Sequence, residues 1–111
     1  MNSVQGKIIN YNESFNGEIF FSKKIEKIHK KEKVDDNVII LPGYIDLHCH
    51  GGGGFDTMQG YDSIKKMSYF HLLNGTTTLL PTTWTSTFDH IKKALYNVNK
   101  LIADTTNNIE G

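Results

Sequence analysis

The sequence predicts an α/β fold in which an all-β opening segment gives way to repeated strand–helix units. Three observations carry this. Before residue 42 apolar and polar residues alternate in short runs. Pro42-Gly43 then breaks the chain. After it come an apolar strand pattern, a glycine loop, a helix pattern, a second strand, a loop and a longer helix pattern. The predicted boundaries are 1–41 for the β segment and 42–111 for the βα units.

In the opening segment Gly6 to Tyr11, Glu18 to Phe21, Ile25 to Ile28 and Asn37 to Leu41 read as short strands, with Phe21-Ser22-Lys23-Lys24-Ile25 turning one into the next. The lysine-rich run His29 to Lys33 reads as a solvated loop or a guarded sheet edge, and His29 receives no role. Further on, Ile64 and Met67, with Phe70 or His71, give a helix from Asp62 to about Leu73 an apolar face, and Asn74-Gly75 stops it. Thr76 to Leu80 is β-branched and apolar, a strand. Phe88, Ile91, Leu95, Val98 and Ile102 recur at threes and fours and predict a second helix lying against a sheet. Ser86 or Thr87 can cap it, Asp89 suits its first turn, and His90 falls off the stripe.

Strands joined by helices suit a doubly wound sheet or a (β/α)8 barrel, and periodicity does not choose between them. A complete barrel needs roughly 250 residues. A chain of 111 residues can therefore supply only about two of the eight units.

Composition narrows the function classes. Lys+Arg and Asp+Glu both total 12, so no net field draws the chain toward nucleic acid or anionic lipid. Every basic residue is a lysine; a phosphate held here would need lysine, histidine or backbone amides instead of arginine's bidentate fork. Cys49 is the single cysteine and excludes an internal disulfide. No secretory pattern opens the sequence and no apolar run approaches the ~20 residues of a membrane span. The expectation is a soluble, cytoplasmic protein with no nucleic-acid or membrane partner.

The chemistry lies in Pro42-Gly43-Tyr44-Ile45-Asp46-Leu47-His48-Cys49-His50, followed by Gly51 to Gly54 and Phe55-Asp56. On a strand, Asp46, His48 and His50 face one side, and Ile45, Leu47 and Cys49 face the helices. Two imidazoles at i and i+2 at a strand's carboxyl end can converge on one ion. Asp46, one step deeper, could hold a ligand's second ring nitrogen. The glycines would keep the ion's surroundings free of side chains. Cys49 is given no catalytic role. His71 is read as a packing residue, and Trp84, in the loop after the second strand, as a candidate for lining a substrate pocket.

This string resembles the Pro-Gly-x-Ile-Asp-x-His-x-His signature that closes the first barrel strand of the amidohydrolase superfamily. The glycines and Phe55-Asp56 after it look like N-acetylglucosamine-6-phosphate deacetylases. The stretch Asn74-Gly75-Thr76-Thr77-Thr78-Leu79-Leu80-Pro81-Thr82-Thr83 is similar to that family's second strand and loop. The resemblance implies the N-terminal portion of a metal-dependent hydrolase: the first two βα units of a TIM barrel, preceded by strands of a small β-sandwich domain.

It also implies a divalent metal, zinc first, with iron, manganese or cobalt as alternatives, held in part by His48 and His50 with Asp46 in support. The reaction implied is deacetylation of N-acetylglucosamine 6-phosphate to glucosamine 6-phosphate and acetate in amino-sugar catabolism, by a homodimer. Some family members replace these histidines and use one metal elsewhere, so the pair could belong to a second or variant site. The family's next strand ends His-x-Glu-Gly-Pro; Glu110-Gly111 lacks the histidine before and the proline after, and receives no role. The catalytic aspartate belongs to a later strand, so no catalytic residue is expected here and the chain alone is expected to be inactive. Substrate-binding residues are not assigned. The alternatives are another amidohydrolase (a cyclic amidase, adenine deaminase or D-aminoacylase) or a non-catalytic truncated product.

Overall fold

The computed structural model describes residues 1–104 and 107–109; the Glu110-Gly111 pair lies outside the described residues. The fold is mixed α/β and divides into two compact units, Met1–Pro42 and Gly43–Gly111.

The first unit is a four-stranded sheet built from β1 (Asn2–Ile9), β2 (Ser14–Phe21), β3 (Ile25–Lys30) and β4 (Ile39–Ile40), in the order β3-β2-β1-β4. β1 and β2 pair antiparallel with Val4 opposite Ile19 and Ile8 opposite Phe15. The two-residue period puts these four side chains on one face, where Ile8 and Ile19 are buried. The turn between β1 and β2 is closed by the Asn10 side chain, whose Oδ1 accepts the backbone N–H of Asn12 and Glu13. β3 follows β2 through the Ser22 to Lys24 turn and forms the sheet's edge. His29 and Lys30 of the lysine-rich run lie in that edge strand and are exposed, which discourages pairing with another chain.

The second unit begins with β5 (Tyr44–Cys49), followed by a small hairpin of β6 (Gly51–Gly52) and β7 (Phe55–Asp56). Then come α1 (Tyr61–Leu73), β8 (Thr76–Pro81) and α2 (Phe88–Ile102). β5 and β8 pair in parallel across the α1 crossover. Leu79 of β8 also makes a parallel bridge with Ile109, its N–H donating to the Asn108 carbonyl at 2.8 Å. The chain therefore returns to the other side of β8 after α2. Asn108 is buried and locks this return: its side chain hydrogen-bonds Ser68 of α1, and its Nδ2 donates to the Thr76 carbonyl at 2.6 Å.

The core joins Cys49, Ile64, Met67, Leu79, Val98, Leu101 and Ile109, with Phe55 and Tyr61 packed on its margin. α1 ends where Asn74-Gly75 predicts, because Gly75 takes a φ of 96° that few other residues tolerate. Thr87 caps α2, its Oγ1 accepting the His90 N–H at 3.3 Å.

Three expectations need correction. α2 buries Ala94, Val98 and Leu101, whereas Phe88, Leu95 and Ile102 are exposed. The apolar arc is wider than one contact surface, and α2 seats only one side of it against α1. On β5, Cys49 is buried as expected, but Ile45 and Leu47 are 65% and 69% exposed. α1 packs on β8 and on the β6–β7 hairpin, leaving the start of β5 uncovered.

The third concerns the glycines. They do not form an open loop around an ion but a tight hairpin whose turn residues, Gly53 and Gly54, have φ of 63° and 88°. Two successive positive φ values are what a type I′ turn requires. A Cβ on Gly53 would lie 2.7 Å from Phe70 Cγ, whereas one on Gly54 would meet nothing within 4 Å. Gly54→Ala should therefore cost about 1–2 kcal/mol from backbone strain alone. Gly53→Ala should cost clearly more, because Phe70 must also move. Equal losses in urea unfolding would show that α1 does not press on the hairpin.

Candidate metal centre

The site forms at the carboxyl end of β5. His48 is exposed, Cys49 buried and His50 half-buried, so alternation survives to the strand's end although the β5–β8 register is irregular between Asp46 and Cys49. The two imidazoles come together, with His48 Nε2 and His50 Nε2 3.0 Å apart. Nitrogens each about 2.0–2.1 Å from one ion in tetrahedral geometry stand about 3.3–3.4 Å apart, so this pair, at hydrogen-bonding distance here, needs to part by only a few tenths of an ångström to share a cation.

The rest of the constellation orients His50. Thr82 stitches the strand ends together: its N–H donates to the Cys49 carbonyl at 2.7 Å, and its Oγ1 accepts the Cys49 N–H at 3.1 Å. The Thr82 carbonyl lies 3.1 Å from His50 Nδ1. That contact is a hydrogen bond only if Nδ1 carries the proton, which leaves Nε2 unprotonated, its lone pair turned to His48 Nε2 here and of the kind a metal takes. The Thr57 side chain, fully buried, donates to the His50 carbonyl at 3.2 Å. Trp84 stacks on the His50 ring with centroids 4.2 Å apart and planes inclined 24°.

Asp46 has a different partner from the one expected. Its Oδ1 accepts the backbone N–H of His48 at 3.1 Å, so it braces the strand under His48, while the ring-nitrogen bond expected of it is made at His50 by the Thr82 carbonyl. Such a role for Thr82 depends on which residue of the neighbouring strand stands beside His50, and one strand's pattern does not reveal that. The unusual Trp84, at the same strand end, was the available signal.

Cys49 and His71 stay out of the site. Cys49 Sγ lies 3.3 Å from His71 Nε2 and 3.5 Å from the Gly51 carbonyl, and His71 Nε2 is 3.0 Å from that carbonyl. Burial, and secondarily the Asp46 carboxylate, pushes the Cys49 thiol up, so it remains protonated and a poor nucleophile at neutral pH. His90 is held between Ser86 and the Met58 carbonyl, at 2.9 and 3.0 Å. Among the described residues no cluster of three or more histidine, cysteine, aspartate or glutamate side chains could hold a metal ion. A cavity of about 480 Å³ lies along α1, and neither histidine of the pair lines it.

No family model matches the chain. Individual proteins do, and they share one chemistry: they are amino-sugar phosphate deacetylases. The N-acetylglucosamine-6-phosphate deacetylase of Bacillus subtilis is 37% identical over 76 residues, covering 68% of this chain and 19% of that protein. The N-acetylgalactosamine-6-phosphate deacetylase of Escherichia coli O157:H7 is 35% identical over 75 residues, 67% of this chain and 20% of that one.

The N-acetylglucosamine-6-phosphate deacetylase of Thermotoga maritima superposes with a TM-score of 0.86 at 27% identity, covering 97% of this chain and 30% of that chain. The Mycobacterium smegmatis enzyme, solved as a mutant in complex with N-acetyl-D-glucosamine-6-phosphate, shares the fold with a TM-score of 0.77 at 17% identity, over 93% of this chain and 30% of that one. The chain thus spans about a fifth of these curated relatives' length, and it resembles a portion of N-acetylglucosamine-6-phosphate deacetylases.

Trp84 is the single tryptophan, so its fluorescence reports on the centre alone. Addition of cobalt(II) should quench it in the native chain and leave His50→Ala unaffected. An unquenched native chain would count against a cation between His48 and His50.

Proposed function

We propose that this chain is the N-terminal portion of a metal-dependent N-acetylglucosamine-6-phosphate deacetylase, in which His48 and His50 hold a divalent cation, zinc foremost. The observation that carries the reading is the pair of Nε2 atoms 3.0 Å apart at a strand's carboxyl end, in a chain whose relatives are deacetylases of amino-sugar phosphates. The donor set suits the group: neutral imidazoles are ordinary zinc ligands, and His50 has its other nitrogen against a carbonyl.

A barrel architecture is the natural extension, with residues 1–41 as the small β-sandwich domain and 42–111 as the first two βα units. Its support is the strand order, because β5, β8 and the Ile109 bridge follow one another across the sheet in chain order. The histidine pair then sits on the face where such barrels keep their sites.

A divalent ion bound there would polarise the acetamide carbonyl and make hydroxide available near neutral pH. This chain's own contribution is anchorage. His48 and His50 supply neutral nitrogens, Asp46 braces the His48 backbone, and Thr82 holds the His50 ring. These residues anchor the ion, and the family resemblance assigns the transfer of protons between water and leaving amine to a carboxylate on a later strand. Two imidazoles are fewer than the three protein ligands typical of a catalytic zinc, and the isolated chain should bind metal weakly and release no acetate. The complete protein is proposed to work as a cytoplasmic homodimer in amino-sugar catabolism. The galactosamine relative favours one second reading, in which the substrate is the corresponding N-acetylgalactosamine phosphate.

The test is acetate release by the protein expressed from a template read past the Gly111 codon. It should deacetylate N-acetylglucosamine 6-phosphate, lose activity to a chelator and regain it with zinc. Replacing both His48 and His50 by Ala should lower the rate by about 10–100-fold or more, at least the loss typical of outer-shell changes. A faster reaction on the galactosamine substrate would reassign the sugar, and an active protein indifferent to both histidines would remove them from the centre.

A further inference from the structure

We propose that Trp84 is a positioning residue for His50. Its indole and the Thr82 carbonyl together fix the imidazole in the one orientation and tautomer that turns Nε2 toward His48. The metal-binding consequence rests on the function proposed above; the positioning itself does not.

Three contacts define the ring. The Thr82 carbonyl takes Nδ1 at 3.1 Å, which sets the tautomer but leaves rotation about that bond open. The Trp84 indole covers one ring face at 4.2 Å and 24°, closing that rotation. His48 stands edge-on, centroids 4.7 Å apart and planes at 79°, with its Nε2 beside that of His50. Without the indole, the half-buried His50 ring would keep only its edge contacts, to the Thr82 carbonyl and to the exposed His48 ring, with nothing against its face to stop it swinging.

Trp84 is also an expensive way to fill space. It is 51% exposed, so simple burial does not account for an indole here, whereas a flat aromatic surface against an imidazole does. Thr82 and Trp84 stand two residues apart, so one short segment after β8 supplies both restraints. A ligand pre-oriented in this way loses less freedom when it binds a cation, which is how supporting groups raise metal affinity.

Nitrogen-15 NMR of the metal-free chain tests the positioning directly. Native His50 should show a single tautomer with the proton on Nδ1. Trp84→Ala should show averaged tautomers and Trp84→Phe should recover the native pattern, with circular dichroism unchanged in both. Cobalt(II) titration by calorimetry should then show affinity about tenfold weaker in Trp84→Ala and near native in Trp84→Phe. An ordered Nδ1-protonated His50 in Trp84→Ala, with native cobalt affinity, overturns the proposal. Averaged tautomers in Trp84→Ala with cobalt uptake no different from native uphold the positioning role and overturn its metal-binding consequence instead.

Discussion

The parallel pairing of β5 with β8, fastened at its carboxyl end by Thr82, is the constraint on which the second unit depends. Thr82 satisfies both the N–H and the carbonyl of Cys49 with its own side chain and backbone, then turns its carbonyl to His50. One threonine therefore closes the sheet, pins the buried Cys49 and orients a candidate ligand. The same closure brings β8 under α1, where Leu79, Ile64 and Met67 are fully buried. Packing and site are built from one set of contacts, so disturbance of the strand end would be felt in both.

The glycine hairpin depends on that closure from the other side. Beyond His50 the chain must turn away at once, since the Thr57 N–H returns to the His50 carbonyl at 3.0 Å. Gly53 and Gly54 supply the positive φ values. The bare faces of Gly52 and Gly53 accept His71 and Phe70 from α1 at distances no Cβ would permit. These glycines thus serve helix packing against the strand that carries the histidines. Access to a substrate is not what their positions explain.

Much of this was legible in the sequence. The order of strands and helices follows from period-2 and period-3.6 patterning, the end of α1 from Asn74-Gly75, and the histidine pair from its i, i+2 spacing. Other features were hidden for physical reasons. Four consecutive glycines carry no strand propensity, so the β6–β7 hairpin has no local signal. The buried face of α2 could not be told from the whole apolar arc, because Phe88 and Leu95 are as apolar as Val98 yet face outward. The true partner of the His50 ring is a backbone carbonyl on another strand, and side-chain patterns are silent about backbone partners.

The apolar surface left over has its own logic. Parallel strands are ordinarily covered on both faces, yet Tyr44, Ile45 and Leu47 of β5 are exposed, as are Phe88 and Leu95 of α2. These sets fall on the first strand and the last helix of the second unit, while β8, between β5 and the Ile109 bridge, has its central Leu79 fully buried. Burying a single such side chain contributes about 1.5–3 kcal/mol, so covering both flanks with further βα units would contribute several kcal/mol in total. Two imidazoles and two uncovered flanks point to the same conclusion. If the barrel proposed above is the architecture, additional units would complete the packing and bring additional ligands to the strand ends, and stability and metal affinity would rise together.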